Sequence, residues 1–241
     1  MQSIKGFRVH LLTVIIGVLY FSIIGFADTI GNPARSLEAG KVQLGVEAGL
    51  WDRDMELDGV DGDDSVEGKR MMLRAVYGIT EKVDIYGKVG MADSKFDLFG
   101  YDVETDMDIA FGGGARLQFY DEGQIKAGVV AQFLSLTGDA SENVEGYDVK
   151  GEVDAKEIDV AVGASYEIDD TINTYGGIYY SKISTDLKIT SPVKMDGNAD
   201  EADPIGIFIG GEYLINENIS VGAEARLIAE QSFSISGTFA F

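Results

Sequence analysis

"YGITEKVDIYG" (residues 77–87) sets two alternating apolar runs on either side of a tight, charged turn. Much the same phrase returns as "YEIDDTINTYG" (166–176) and, more loosely, as "YLINENISVG" (213–222). Before the first turn the apolar set is Met71, Leu73, Ala75, Tyr77 and Ile79; after it come Val83, Ile85, Gly87, Val89 and Met91. Arg74, Val76 and Gly78, then Asp84, Tyr86, Lys88 and Gly90, stand between them. A period of two is the mark of a β-strand with two unlike faces.

The alternation extends through residues 41–51, 71–79, 83–91, 106–119, 125–133, 157–168, 172–180, 205–215, 219–227 and 232–241. Each segment approaches the 9–11 or so residues that a tilted strand needs to cross a bilayer. The pattern predicts an all-β fold, a transmembrane antiparallel up-and-down β-barrel of about ten strands, with eight or twelve as alternatives. Short turns fall near 80–82, 121–123, 169–171 and 216–218, and long connections at 52–68, 93–105, 137–152 and 185–204. The last hairpin, near 229–231, breaks this rule by being short.

Alternation alone does not say which face meets solvent, since a soluble barrel turns the same apolar face inward. Three features favour the membrane. The polar face is crowded with glycine (Gly45, Gly49, Gly90, Gly112, Gly128, Gly210), which makes a poor water-facing surface and suits a cramped interior. Tyr77, Phe119, Tyr166, Tyr213 and Phe241 sit on the apolar face beside the short turns, as an interfacial aromatic girdle would. The chain ends on phenylalanine within an alternating strand, "SFSISGTFAF".

The N-terminus reads as a secretory signal over residues 1–27. Lys5 and Arg8 precede an apolar run at 11–25, and Gly25 and Ala27 are the small residues read by a signal peptidase. That run is short for a membrane anchor of about 20 residues. A periplasmic leader is expected at 28–40 and the barrel at 41–241. Cleavage removes His10, the only histidine, and the chain has no cysteine. The exported chain then has no group for Ser-His-Asp chemistry, imidazole acid/base work or His- or Cys-ligated zinc. A formal net charge of −22 disfavours nucleic acid as a partner.

The signal, the repeated short-turn hairpins and the terminal strand resemble bacterial outer-membrane β-barrel proteins, and are most similar to the small opacity-protein and OmpA-like barrel group. That likeness implies the outer membrane as location and its lipid as surroundings. Phe233, Ile235, Phe239 and Phe241 resemble the C-terminal signal by which the outer-membrane barrel-assembly machinery takes up such chains. The usual member has eight strands, two fewer than are counted here. Omptin proteases and phospholipase barrels are also similar in architecture. Both depend on histidine, so no enzyme activity is expected.

Parity aims Glu47, Asp84, Asp106, Asp108, Glu157, Asp159, Glu167, Glu212 and Glu224 into the barrel, with Arg74, Lys88, Arg116, Lys126 and Arg226. A buried charge must be paired, so one expectation is a narrow, salt-bridged, closed lumen in a structural or surface-interaction protein. Acids outnumber bases nine to five, so the other is a small cation-preferring, porin-like channel. The acidic connections at 52–68 and 196–203 would face the cell exterior. They suit an extracellular ligand, or weak Ca2+ or Mg2+ binding through oxygen ligands. Neither completes an EF-hand: Val60 and Glu201 stand where that loop needs a ligand and a glycine. No cofactor is expected.

Overall fold

The computed structural model describes residues 29–57, 64–98, 101–104, 108–144, 147–191, 195–201 and 204–241. The expected signal peptide, Asp106 and the tip of the first acidic connection fall outside these residues.

The repeated tyrosine–isoleucine phrases are three turns built alike. Thr80 Oγ1 accepts from the amide of Lys82 at 3.2 Å. Asp169 Oδ1 accepts from the amides of Thr171 and Ile172, both at 2.8 Å. Asn216 Oδ1 accepts from those of Asn218 and Ile219, both at 2.9 Å. In each, a short polar side chain satisfies backbone donors just beyond itself, which is why Thr, Asp or Asn follows the isoleucine. Tyr77, Tyr166 and Tyr213 are exposed, and so are Ile79, Ile168 and Ile215. The fourth short turn instead uses Gly123 at φ 61°, where glycine has no steric penalty.

Twelve strands follow: β1 Val42–Leu57, β2 Asp64–Thr80, β3 Val83–Leu98, β4 Tyr101–Glu104, β5 Asp108–Glu122, β6 Ile125–Val144, β7 Tyr147–Glu167, β8 Ile172–Ser191, β9 Met195–Glu201, β10 Ile205–Leu214, β11 Ile219–Leu227 and β12 Gln231–Ala240. Ten of them form a closed antiparallel ring, β1-β2-β3-β5-β6-β7-β8-β10-β11-β12 and back to β1. The closing seam is β12 on β1, from Gln43 opposite Ala240 to Asp52 opposite Gln231.

The long connections differ from expectation, because they are largely strand. β6 and β7 stay paired out to Val144 opposite Tyr147, well past the expected break at 137. β1 and β2 continue to Met55 opposite Asp64. The polar residues there fall on both faces, so apolar parity is blind to them, while the backbone ladder needs only its own N–H and C=O groups. β9 pairs with both β8 and the far end of β1, and so bridges the ring above the short β11–β12 hairpin. β4 pairs with β3 alone.

Burial alternates along each ring strand. Leu44, Leu73, Val89, Phe111, Ile158, Ile178, Ile207 and Phe233 are exposed around the whole ring, while Trp51, Met72, Val76, Tyr86, Val130 and Phe208 are buried. A continuous apolar outer wall is costly in water and fits lipid. A ring with every ring-strand edge paired meets the requirement that no backbone group be left open in hydrocarbon.

Residues 29–40 are the main correction. Expected as a leader outside the barrel, they enter it from the short-turn end. Thr29, Ile30, Asn32, Ala34 and Leu37 are buried, with Ala34 at 0 % exposure. Glu38, Ala39 and Gly40 are exposed, and Gly40, at φ 84°, bonds Gly78 where the chain turns into β1. The inner part, "TIGNPA", is uncharged and, Ile30 apart, made of small residues, which fits it for a narrow interior. Glycines make the space: a Cβ on Gly128 would collide with the Pro33 carbonyl, and one on Gly163 would come within 2.9 Å of the Pro33 ring.

Candidate functional site in the barrel lumen

Interior polar groups fall into two layers. Nearer the short turns, the wall bonds the inserted segment. Glu224 takes the amide of Ile30 on one oxygen at 3.0 Å and that of Gly31 on the other at 2.9 Å. Asp84 takes the amide of Leu37, at 3.1 and 3.3 Å to its two oxygens. Lys88 donates to the Thr29 carbonyl at 2.8 Å and Arg116 to the Asn32 carbonyl at 3.0 Å. The Thr29 hydroxyl donates to Glu47. Arg35 bonds Glu212 at 3.0 Å and Ser220 at 3.3 Å. The wall also bonds itself, with Arg116 on Asp84 at 2.6 Å, Arg74 on Glu47 at 2.9 Å and Lys88 near Glu47 at 3.4 Å.

Toward the long hairpins, acids meet bases directly. Arg53 reaches Glu230 at 2.8 Å and Glu157 at 3.5 Å. Arg226 lies 3.5 Å from both Asp159 and Glu224 and 3.9 Å from Glu230. Its guanidinium also stands 5.0 Å from the centre of the Tyr179 ring. Gln132 donates to Asp159 at 2.9 Å and accepts from Tyr86 at 2.9 Å, and Ser181 donates to Glu157 at 3.1 Å. Gly206 and Gly210 open the room that the Tyr179 and Tyr175 rings occupy, since a Cβ at either would run into them. Phe208 packs between these tyrosines, with ring centres 6.3 and 6.5 Å away.

Of the charges selected by parity, Glu47, Asp84, Lys88, Arg116, Glu157, Asp159, Glu224 and Arg226 are buried. Arg74, Asp108 and Glu212 are half-buried. Lys126 and Glu167 pair at the short-turn mouth, where a cleft of about 240 Å3 is lined in part by Arg35, Ser36 and Gln118. Arg53, Arg70 and Glu230 are buried as well, outside the set that strand parity picks out. Arg53 and Arg70 share their strands' inward parity but lie just beyond the segments read as strand. Glu230 sits in the tight β11–β12 turn, where Ile228 has φ 84°. A β-branched residue there is strained. With Arg35, Arg53, Arg70 and Glu230 included, the described interior acids and bases come close to balance. The excess on which cation preference rested is thereby reduced.

Tyr77, Phe119, Tyr166, Tyr213 and Phe241 are exposed at the short-turn end. Phe233, Ile235 and Phe239 face outward on β12, and the Phe239 and Phe241 rings lie 5.8 Å apart. Among the described residues no group of three acids, histidines or cysteines is placed to hold a metal ion. Side chains at 54–67 and 195–203, which include most of the two acidic connections, fall outside those described.

No family model and no curated protein matches the chain. Solved structures do. An outer membrane channel of Pseudomonas putida F1 superposes with a TM-score of 0.51 at 9% identity, over 90% of this chain and 100% of that one. The translocator domain of the autotransporter NalP of Neisseria meningitidis gives 0.49 at 13% identity, over 85% and 88%. The outer membrane protease OmpT of Escherichia coli gives 0.48 at 9% identity, over 90% and 99%. The fold is that of an outer-membrane β-barrel. At such identities the likeness is one of fold.

Proposed function

We propose that the protein is a bacterial outer-membrane barrel, delivered by a cleaved signal peptide, whose lumen is sealed and whose work lies in structure or surface interaction rather than open-pore transport. One observation carries this reading: residues 29–37 fill the lumen at the short-turn end with their backbone bonded to Glu224, Asp84, Lys88 and Arg116. The Arg53, Glu157, Asp159, Arg226 and Glu230 layer stands behind it. Two such layers in series, in a ring of about ten strands that side chains can nearly fill, support a sealed lumen over the open water path a porin needs. The acidic hairpins would lie on the cell exterior, available to a ligand or to divalent ions, and the terminal phenylalanines would serve uptake by the assembly machinery.

Conductance in a planar bilayer tests the reading. The purified, refolded protein should give no steady open-channel steps across moderate voltages. Reproducible steps with cation preference, weakened by Glu212→Gln, would favour the channel reading instead.

A further inference from the structure

The two layers of the lumen are paired differently. In the layer toward the long hairpins, wall acids face wall bases. In the other, wall acids and bases pair with one another and in addition take the N–H groups and carbonyls of a single inserted segment, which turns at Pro33 and Ala34. Glu224 gives one oxygen to each of two successive amides, and Lys88 and Arg116 cap carbonyls on either side of them. Acids on amides and cations on carbonyls recognise a peptide backbone in one direction, as peptide-binding grooves do. Two further features make this a built site. Gly128 and Gly163 leave room for Pro33. Glu212 and Ser220 take the guanidinium of Arg35.

We propose that the short-turn half of the lumen is a peptide-binding site, of which residues 29–37 are the tethered occupant. It takes a peptide with its N-terminal end leading inward, with uncharged residues over its inner half, a turn at the proline and an arginine at the mouth. This inference rests on the sealed-lumen reading and says how the seal is held. The backbone contacts are indifferent to sequence except at Gly31, whose φ of 72° favours glycine. Pro33 and Arg35 supply the selectivity, and the exposed residues 38–40 form the tether. A short tether holds its occupant at an effective concentration on the order of millimolar. A free peptide competes poorly until that tether is cut.

The test uses the full chain, exported and inserted in an outer membrane so that its processing is native, with a protease recognition sequence inserted between Ala39 and Gly40. After extraction in detergent the tether is cut. The probe is a fluorescent synthetic peptide of residues 29–39. If the cut segment dissociates, the cut barrel should bind the probe saturably and the uncut barrel should not. A probe carrying Arg35→Ala should bind at least tenfold more weakly, and a scrambled one not at all. If the segment instead stays with the barrel through gel filtration and leaves only in denaturant, that retention supports the site directly. Dissociation followed by no probe binding, or by equal binding of the scrambled peptide, overturns the inference. Conductance of the uncut barrel separates this failure from that of the sealed-lumen reading. A silent uncut barrel whose cut form ignores the probe sinks the peptide site alone. A conducting uncut barrel sinks the sealed lumen whatever the probe does.

Discussion

Arg226 is the residue on which the interior layers join. It is 1 % exposed and lies within ion-pair distance of Glu224, Asp159 and Glu230, so it faces carboxylates in both layers. Removing one partner of a buried ion pair costs about 3–5 kcal/mol, because the others stay buried and uncompensated. Arg226→Met, which keeps the volume and drops the charge, should lower unfolding stability by about that amount. Urea titration of the detergent-solubilised barrel would measure it, and a change below about 1 kcal/mol would mean water already reaches these acids. A second residue-scale effect lies outside the membrane-spanning segments, at Asp169. The Thr171 hydroxyl, and then the amides of Thr171 and Ile172, hold its carboxyl below the usual carboxylate range. A depressed folded value adds stability above the unfolded pKa, and that share is lost as pH falls through the folded one. Thr171→Val should raise the Asp169 titration midpoint, read by carbon NMR across acid pH. An unmoved midpoint would mean that the hydroxyl bond is not formed. The sequence disclosed the turn at Asp169 through its Tyr-x-Ile phrase. It did not disclose Glu230, because parity has no meaning inside a turn.

At the scale of elements, the strands were legible and their lengths were not. Ring strands show one apolar face to lipid, so the alternation in residues 71–79 or 219–227 is enough to place them. Beyond the bilayer both faces are polar, and β6 and β7 run on in register with no apolar signal to announce it. The same blindness hid Arg53 and Arg70, which continue the inward parity of β1 and β2. Residues 29–40 carry no such signal: it is mainly their backbone that the wall side chains hold, and the space is made by glycines on distant strands. Small and uncharged residues read as a loop wherever they occur. The glycines on the polar face imply a cramped interior, but their spacing names no particular segment to fill it. Filling that berth has a consequence. Gly128→Val should force residues 29–37 out of the lumen, since a Cβ there already collides with Pro33. Trypsin should then cut after Arg35 in the folded protein at least tenfold faster than in the parent. An unchanged rate would mean that the segment does not need that space.

At the scale of the molecule, the ring, its apolar wall and its filled centre form one physical system. Lipid supplies no water to the wall, so every ring strand pairs; the narrow ring leaves charges inside, so every buried charge must find a partner. The chain meets part of that need with its own N-terminal segment, whose amides and carbonyls are held by Glu224, Asp84, Lys88 and Arg116. The acids and bases sorted by parity had suggested a plug made of side chains alone. The structure adds an irregular length of backbone to it. Residues 29–37 therefore lie inside the barrel while 38–40 lie outside. The chain has no cysteine, so single substitutions report cleanly. Ala34→Cys and Ala39→Cys, each refolded and exposed to a membrane-impermeant maleimide, measure this most directly. The Ala39→Cys protein should be modified rapidly, and the Ala34→Cys protein only after unfolding. Equal and rapid modification of both in the folded state would contradict this placement.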